Sequence, residues 1–127
     1  MKNSRITPKE RGLLKGAIRR VFSRSDLRKE ALATTIVIHK DPKRARVTKW
    51  SICSECKEFT PTYLMQIDHK DPIVPINSTF EDMSFDVLID RMWCPKDGLT
   101  PLCKPCHIIK TKAENKLRRQ IKKEKKK

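Results

Sequence analysis

Cys53-Ser54-Glu55-Cys56 and Cys103-Lys104-Pro105-Cys106-His107 are the stretches on which the fold turns. Each is a hook in which two residues separate two cysteines. That spacing lets both sulfurs, and the backbone amides beside them, wrap one ion. Two such hooks together make a four-thiolate tetrahedral site of the structural kind. The hooks are 46 residues apart, more than in a compact zinc ribbon. The intervening segment must therefore fold and bring its ends together. Disulfides are the other reading of the same cysteines. They suit a secreted chain, whereas this one reads as cytosolic and metal ligation is the expectation. The fifth cysteine, Cys94, stands beside Trp93 at a helix end and reads as a small buried hydrophobe.

Outward from the hooks, short elements follow one another. Trp50 to Ile52 is a strand candidate that leads into the first hook, and Pro61 ends that knuckle. Tyr63 to Ile67 reads as a strand that delivers Asp68-His69 at its end. Asp71 to Asn77, with two prolines, is a loop. Ser84 caps a helix with Phe85, Leu88, Ile89 and Met92 as its apolar stripe. Pro95 to Gly98 is a turn, and Leu99 to Leu102 is a strand running into the second hook. A last helix follows, with Ile109, Ala113, Leu117 and Ile121 expected to form its buried stripe, and Lys122 to Lys127 as a frayed basic tail.

Before residue 50 the chain is helical and basic. Thr7 caps a helix from Pro8 to Phe22, with proline in the first turn. Its expected inner face is Leu13, Leu14, Ala17, Ile18, Val21 and Phe22, with Arg11, Lys15, Arg19 and Arg20 turned away. Ser25 or Asp26 caps a second helix to about His39. The β-branched run Thr34 to Ile38 allows a strand at its end. Asp41-Pro42 breaks the chain, and Pro42 starts a short turn through Arg46. No internal repeat is visible. The organisation expected is a basic helical extension over 1–48, a metal-stapled core over 49–115, and a basic helix end and tail over 116–127. The fold class is α+β.

Thirty Lys and Arg against fifteen Asp and Glu give a net charge of +15. A surplus of that size points to a polyanion, of which nucleic acid is the commonest. The charge is uneven: +11 over residues 1–50, −5 over 51–102 and +9 over 103–127. An acidic centre between basic arms suggests carboxylates that hold a cation against phosphate. Glu81, Asp82, Asp86 and Asp90 read more simply, as a solvated helix face. No apolar run in Met1 to Arg20 is long enough for a signal peptide or a membrane span, so neither a membrane partner nor export is expected.

Three histidines are present: His39, His69 and His107. His69 follows Asp68 at a strand end, and His107 directly follows the fourth hook cysteine. If one ion joins the hooks, Asp68, His69 and His107 can converge. A carboxylate and an imidazole can hold a divalent ion such as Mg²⁺ or Mn²⁺, while a second imidazole takes a proton from water. That is the minimum equipment for metal-assisted phosphodiester hydrolysis. Taken singly, an Asp-His pair is commonly a turn and a Cys-His pair a zinc-ligand variant; the conjunction carries the weight. His39 has no such company and reads as a helix C-terminal residue.

On the stretches "CSEC", "MQIDHKDPIVP" and "RMWCPKDGLTPLCKPCHIIKT" and the basic helix after them, residues 50–112 resemble the HNH (ββα-metal) nucleases, in the small form with a four-cysteine zinc site known from bacteriophages and prophages. The resemblance implies His69 as general base, Asp68 and His107 as ligands of the catalytic divalent ion, and Cys53, Cys56, Cys103 and Cys106 around structural Zn²⁺. DNA would be cut to leave a 5′ phosphate. Arg19, Arg20, Lys110, Lys112, Arg118 and Arg119 are the expected nucleic-acid contacts. Phage proteins such as a terminase are partners that the resemblance allows, in the host cytoplasm. One position departs from the family. Its middle Asn, which braces the loop that presents the base, is replaced by Gly98. Either Asp97 takes over the bracing or a tight glycine turn holds the loop. Two functions follow: a metal-dependent DNA endonuclease, or a zinc-stapled DNA-binding or adaptor protein that does not cut.

Overall fold

The computed structural model describes residues 5–79 and 82–125. It is α+β, with four helices and two small antiparallel sheets among those residues. Helix α1 spans Pro8–Ser23 and starts with a complete capping box: Thr7 Oγ1 accepts from the Glu10 amide, and Glu10 accepts from the Thr7 amide. The Thr7 amide, and after it the Thr7 hydroxyl, hold the Glu10 carboxyl below its usual range. Helix α2 spans Asp26–Ala33 with Ser25 as its cap. Strands β1 (Ile36–Val37), β2 (Trp50–Ile52) and β3 (Phe59–Pro61) form the first sheet, in that order. Strand β4 (Gln66–His69) pairs with β5 (Leu99–Leu102), His69 opposite Leu99 and Asp68 opposite Thr100. Helix α3 (Phe85–Met92) lies between them in sequence, with Ser84 as cap, and α4 (Lys104–Lys125) closes the chain.

Several boundaries differ from those that local patterns suggest. Helix α2 stops at Ala33, well short of His39, because the Thr34 and Thr35 hydroxyls turn back to the Ala31 and Leu32 carbonyls. The β-branched residues after them pair with β2 instead. Thr62–Leu64 is a 3-10 turn, so the strand expected from Tyr63 begins at Gln66 and includes Asp68 and His69. Pro61 is inside β3; that strand is a sheet edge, where a missing amide costs nothing. His39 ends no helix. Its ring stacks on Phe59 at 3.9 Å and meets Trp50 edge-on at 4.7 Å.

The first 48 residues are not an appendage. β1 pairs with β2 across residue 48, and Phe22 and Ala31 share a core with Met83, Leu88, Met92 and Leu99. Buried hydroxyls sew the first sheet together: Thr35 donates to Ser51 at 2.8 Å, and Ser51 and Thr62 lie 2.8 Å apart. Satisfied in this way, they escape the penalty for burying a polar group.

Two helical faces differ from expectation in the same way. On α1 the inner stripe is Arg11, Lys15, Ile18 and Phe22. Lys15 is buried, and Arg11 lies over the Phe85 ring at 4.7 Å. Leu13, Leu14 and Val21, expected inside, are exposed. Leu14, Ala17, Ile18 and Val21 instead line an open apolar groove shared with Phe85, Ile89 and Trp93. On α4, Ile109 and Leu117 are 67% and 50% exposed and Ala113 is exposed too. Only Ile121 of that stripe is partly covered. The inward face is His107, Lys110, Glu114, Arg118 and Ile121. A polar face turned inward needs polar partners, and the end of β4 and the loop after it provide them. Asp82, Asp86 and Asp90 are exposed as expected; Glu81 and the last lysines, Lys126 and Lys127, lie outside the described residues. Among the described residues, no helix is long and apolar enough to cross a membrane.

Candidate metal centre and catalytic cleft

The two hooks meet. The Sγ atoms of Cys53, Cys56, Cys103 and Cys106 all lie within 4.8 Å of one another. Cys56 and Cys103 are 3.7 Å apart, close to the separation of about 3.8 Å that a tetrahedral site with Zn–S bonds of about 2.3 Å requires. The local backbone explains the convergence. The Ser54 amide donates to Pro101 O at 3.0 Å, tying the first hook to β5, and Lys57 turns the knuckle with φ of 62°. Burial raises the Cys53 thiol pKa, but amide donors from Cys103, Cys56 and Glu55 outweigh it and bring it down to about 6. Cys106 is pushed up to about 12, first by the neighbouring Cys103 side chain and then by burial. Cys53 gives up its proton readily, while Cys56 and Cys106 resist until a cation shares their charge. The cluster can hold a metal ion such as zinc. Leu102 packs against Cys53 and Cys103, so the cluster is also a small core.

From that staple, β5 and α4 diverge, and α4 passes over the end of β4. Asp68, His69 and His107 come together there, on one cavity of 690 Å³. Asp68 Oδ1 lies 3.6 Å from His107 Nε2. His69 is 7% exposed, and its Nε2 lies 2.8 Å from Met92 O, the last carbonyl of α3. A carbonyl can only accept, so Nε2 carries the ring proton and Nδ1 is left with the lone pair. Phe22 of α1 packs on the same ring, centroids 5.0 Å apart. The imidazole is thus fixed from two sides.

Asp68 offers a fit test for a divalent ion. Its Oδ2 is buried and accepts no aligned hydrogen bond, although Lys110 Nζ lies 2.5 Å away as an ion pair. A carboxylate this little exposed is costly unless cations share its charge; Lys110 meets Oδ2, while Oδ1 faces His107 on the cavity. Cis donors on an octahedral ion with bonds of about 2.1 Å stand about 3.0 Å apart, so Asp68 Oδ1 and His107 Nε2, 3.6 Å apart, need to close by about 0.6 Å to share one. With that closure the residues present fit the group.

The cleft has a roof. Arg91 pairs with Asp71 at 3.2 Å and donates to Ile73 O and Pro72 O, while Arg118 donates to Val74 O at 2.7 Å. The loop from Asp71 is thereby clamped between α3 and α4. Of the expected nucleic-acid contacts, Arg19 lines the cleft, and Arg20, Lys112 and Arg119 are exposed. Arg118 is engaged by the loop. Lys110 is turned inward, bonded to His69 O at 2.9 Å and to Glu114 Oε1 at 3.3 Å. Glu114 and Phe22 are site residues that the sequence does not single out. Glu114 was findable, because it stands four residues after Lys110 and seven after His107 on one helix face. Nothing local marks Phe22.

Gly98 ends the 3-10 turn Lys96–Gly98, and its carbonyl accepts from the Lys70 amide at 2.8 Å. Its φ is not positive. Room is short there: a Cβ would sit 2.9 Å from Cys94 Sγ, which would have to shift to admit it. Asp97 is exposed. Gly98→Asn alone is therefore expected to lower the melting temperature, at a cost of about 1–3 kcal/mol for overpacking. Cys94→Ala should relieve that cost, so the double variant should melt above the single one. Additive losses in that cycle would mean the two sites do not touch.

No protein-family model, curated protein or solved structure matches the chain.

Proposed function

We propose that this protein is a metal-dependent DNA endonuclease of the HNH type, with structural zinc at the four cysteines and one Mg²⁺ or Mn²⁺ at Asp68 and His107. The observation that carries the reading is the meeting of Asp68 Oδ1 and His107 Nε2, 3.6 Å apart, on a cleft shared with a tautomer-fixed His69. The antiparallel pair β4 and β5, with α3 between them in sequence and α4 after, supports the reading.

His69, held through Nε2 on Met92 O, presents Nδ1 as acceptor for a proton of water. Asp68 and His107 supply an oxygen and a nitrogen donor. When bound, a divalent ion stabilises charge on the scissile phosphate and on the leaving 3′ oxygen. Helix α4, 22 residues and about 33 Å long, runs on from the cleft; with Lys110 and Arg118 engaged inside, its exposed Lys112, Lys116, Arg119, Lys122 and Lys123 are a track for phosphates. A phage setting beside a terminase belongs to the same proposal.

Nicking of supercoiled plasmid with Mg²⁺ or Mn²⁺, wild type beside His69→Ala, tests it. The second reading, a DNA-binding or adaptor protein that does not cut, draws support from Gly98 in place of the bracing Asn. In either reading, DNA affinity should fall steeply with salt. Deleting Lys122 to Lys127 should weaken binding to all sequences alike. It should also flatten the log–log slope by about 0.9 for each phosphate that the tail no longer neutralises. An unchanged slope would mean that the tail does not touch DNA.

A further inference from the structure

We propose that Lys110 is a built-in counter-cation of the catalytic cleft, whose ammonium braces the strand end that carries His69 and competes with a divalent ion for Asp68. The inference rests on the metal site proposed above. Lys110 Nζ meets three oxygens at once: Asp68 Oδ2 at 2.5 Å, His69 O at 2.9 Å and Glu114 Oε1 at 3.3 Å. The Asp68 and Glu114 side chains are 15% and 18% exposed, so water screens this cluster weakly.

Two consequences follow from the geometry. The bond to His69 O ties α4 to the last residue of β4, which gives the base a side-chain brace that Gly98 cannot supply. Lys110 is in this sense a positioning residue. The ammonium also neutralises the carboxylate that a divalent ion needs, and it repels that ion at close range. Lys110 therefore trades metal affinity for alignment of the base.

The test is Mn²⁺ binding to the full-length, zinc-loaded protein without DNA, read by the free-Mn²⁺ electron paramagnetic resonance signal, in parallel with plasmid nicking. Lys110→Met should bind Mn²⁺ at least about tenfold more tightly and yet nick more slowly at saturating metal. Lys110→Gln loses the charge but keeps a donor for His69 O. It should bind Mn²⁺ as tightly as Lys110→Met, nick faster than it, and guard against a folding failure of the methionine variant. A lysine with a merely structural role would give weaker Mn²⁺ binding in both variants. That result, or unchanged affinity, overturns the proposal while leaving the metal site standing. If Asp68→Asn binds Mn²⁺ as tightly as the wild type, the metal site itself is wrong and the proposal falls with it.

Discussion

Cys53→Ser or Cys103→Ser should yield a protein without bound zinc and without a cooperative melting transition. The magnitudes decide this. A structural zinc contributes about 10–16 kcal/mol of folding free energy in small thiolate sites. A domain of this size has a net stability of about 5–15 kcal/mol. Both cysteines are buried, and Cys53 and Cys103 pack with Leu102 at the point where β2, β5 and the start of α4 meet. Removing one sulfur breaks the tetrahedron and puts a hydroxyl into that core. Cys56 is exposed and should be more forgiving. Metal analysis of the wild type should give about one zinc per chain. A wild type that is folded and holds no zinc would refute the staple.

His69→Ala should lower cutting by roughly 10²–10⁴-fold, the range a general base supplies, with zinc content and DNA affinity close to wild type. The imidazole is held by one carbonyl and one ring, so its loss removes a proton acceptor without breaking a strand. Asp68→Ala and His107→Ala should be as inactive for another reason: each removes a donor atom for the divalent ion. Excess Mn²⁺ should therefore restore part of the activity to those two and none to His69→Ala. Equal rescue of all three would dissolve the distinction between base and ligands.

What was legible in the sequence was local. The two cysteine hooks, the Ser84 cap, the turn before Gly98 and the strand that enters the second hook each depend on a few neighbouring residues, and they stand where expected. The convergence of Asp68, His69 and His107 was legible through the hooks: their meeting sets the start of α4 beside β5, and β4 pairs with β5. The inner faces of α1 and α4 were not. A stripe argument assumes that the core is apolar, whereas Lys15 is buried and α4 turns His107, Lys110 and Glu114 inward. Nor was the orientation of His69 legible. Its partners, Met92 O and Phe22, are set by how α3 and α1 pack, and neither carries a local mark. Gly98 invited a reading through backbone freedom. The constraint there is instead a sulfur atom four residues back.

The central claim is that Asp68, His69 and His107 form one metal-dependent hydrolytic site, and conversion of supercoiled plasmid tests it most directly. Wild type and His69→Ala, both verified for zinc content, would be incubated with Mg²⁺ or Mn²⁺, and the ends of the products mapped. The account predicts nicked or linear product with 5′ phosphates from the wild type, none after chelation of the divalent ion, and a rate at least about a hundredfold lower for His69→Ala. Equal rates for the two proteins, or no product from the wild type with either ion, would contradict it.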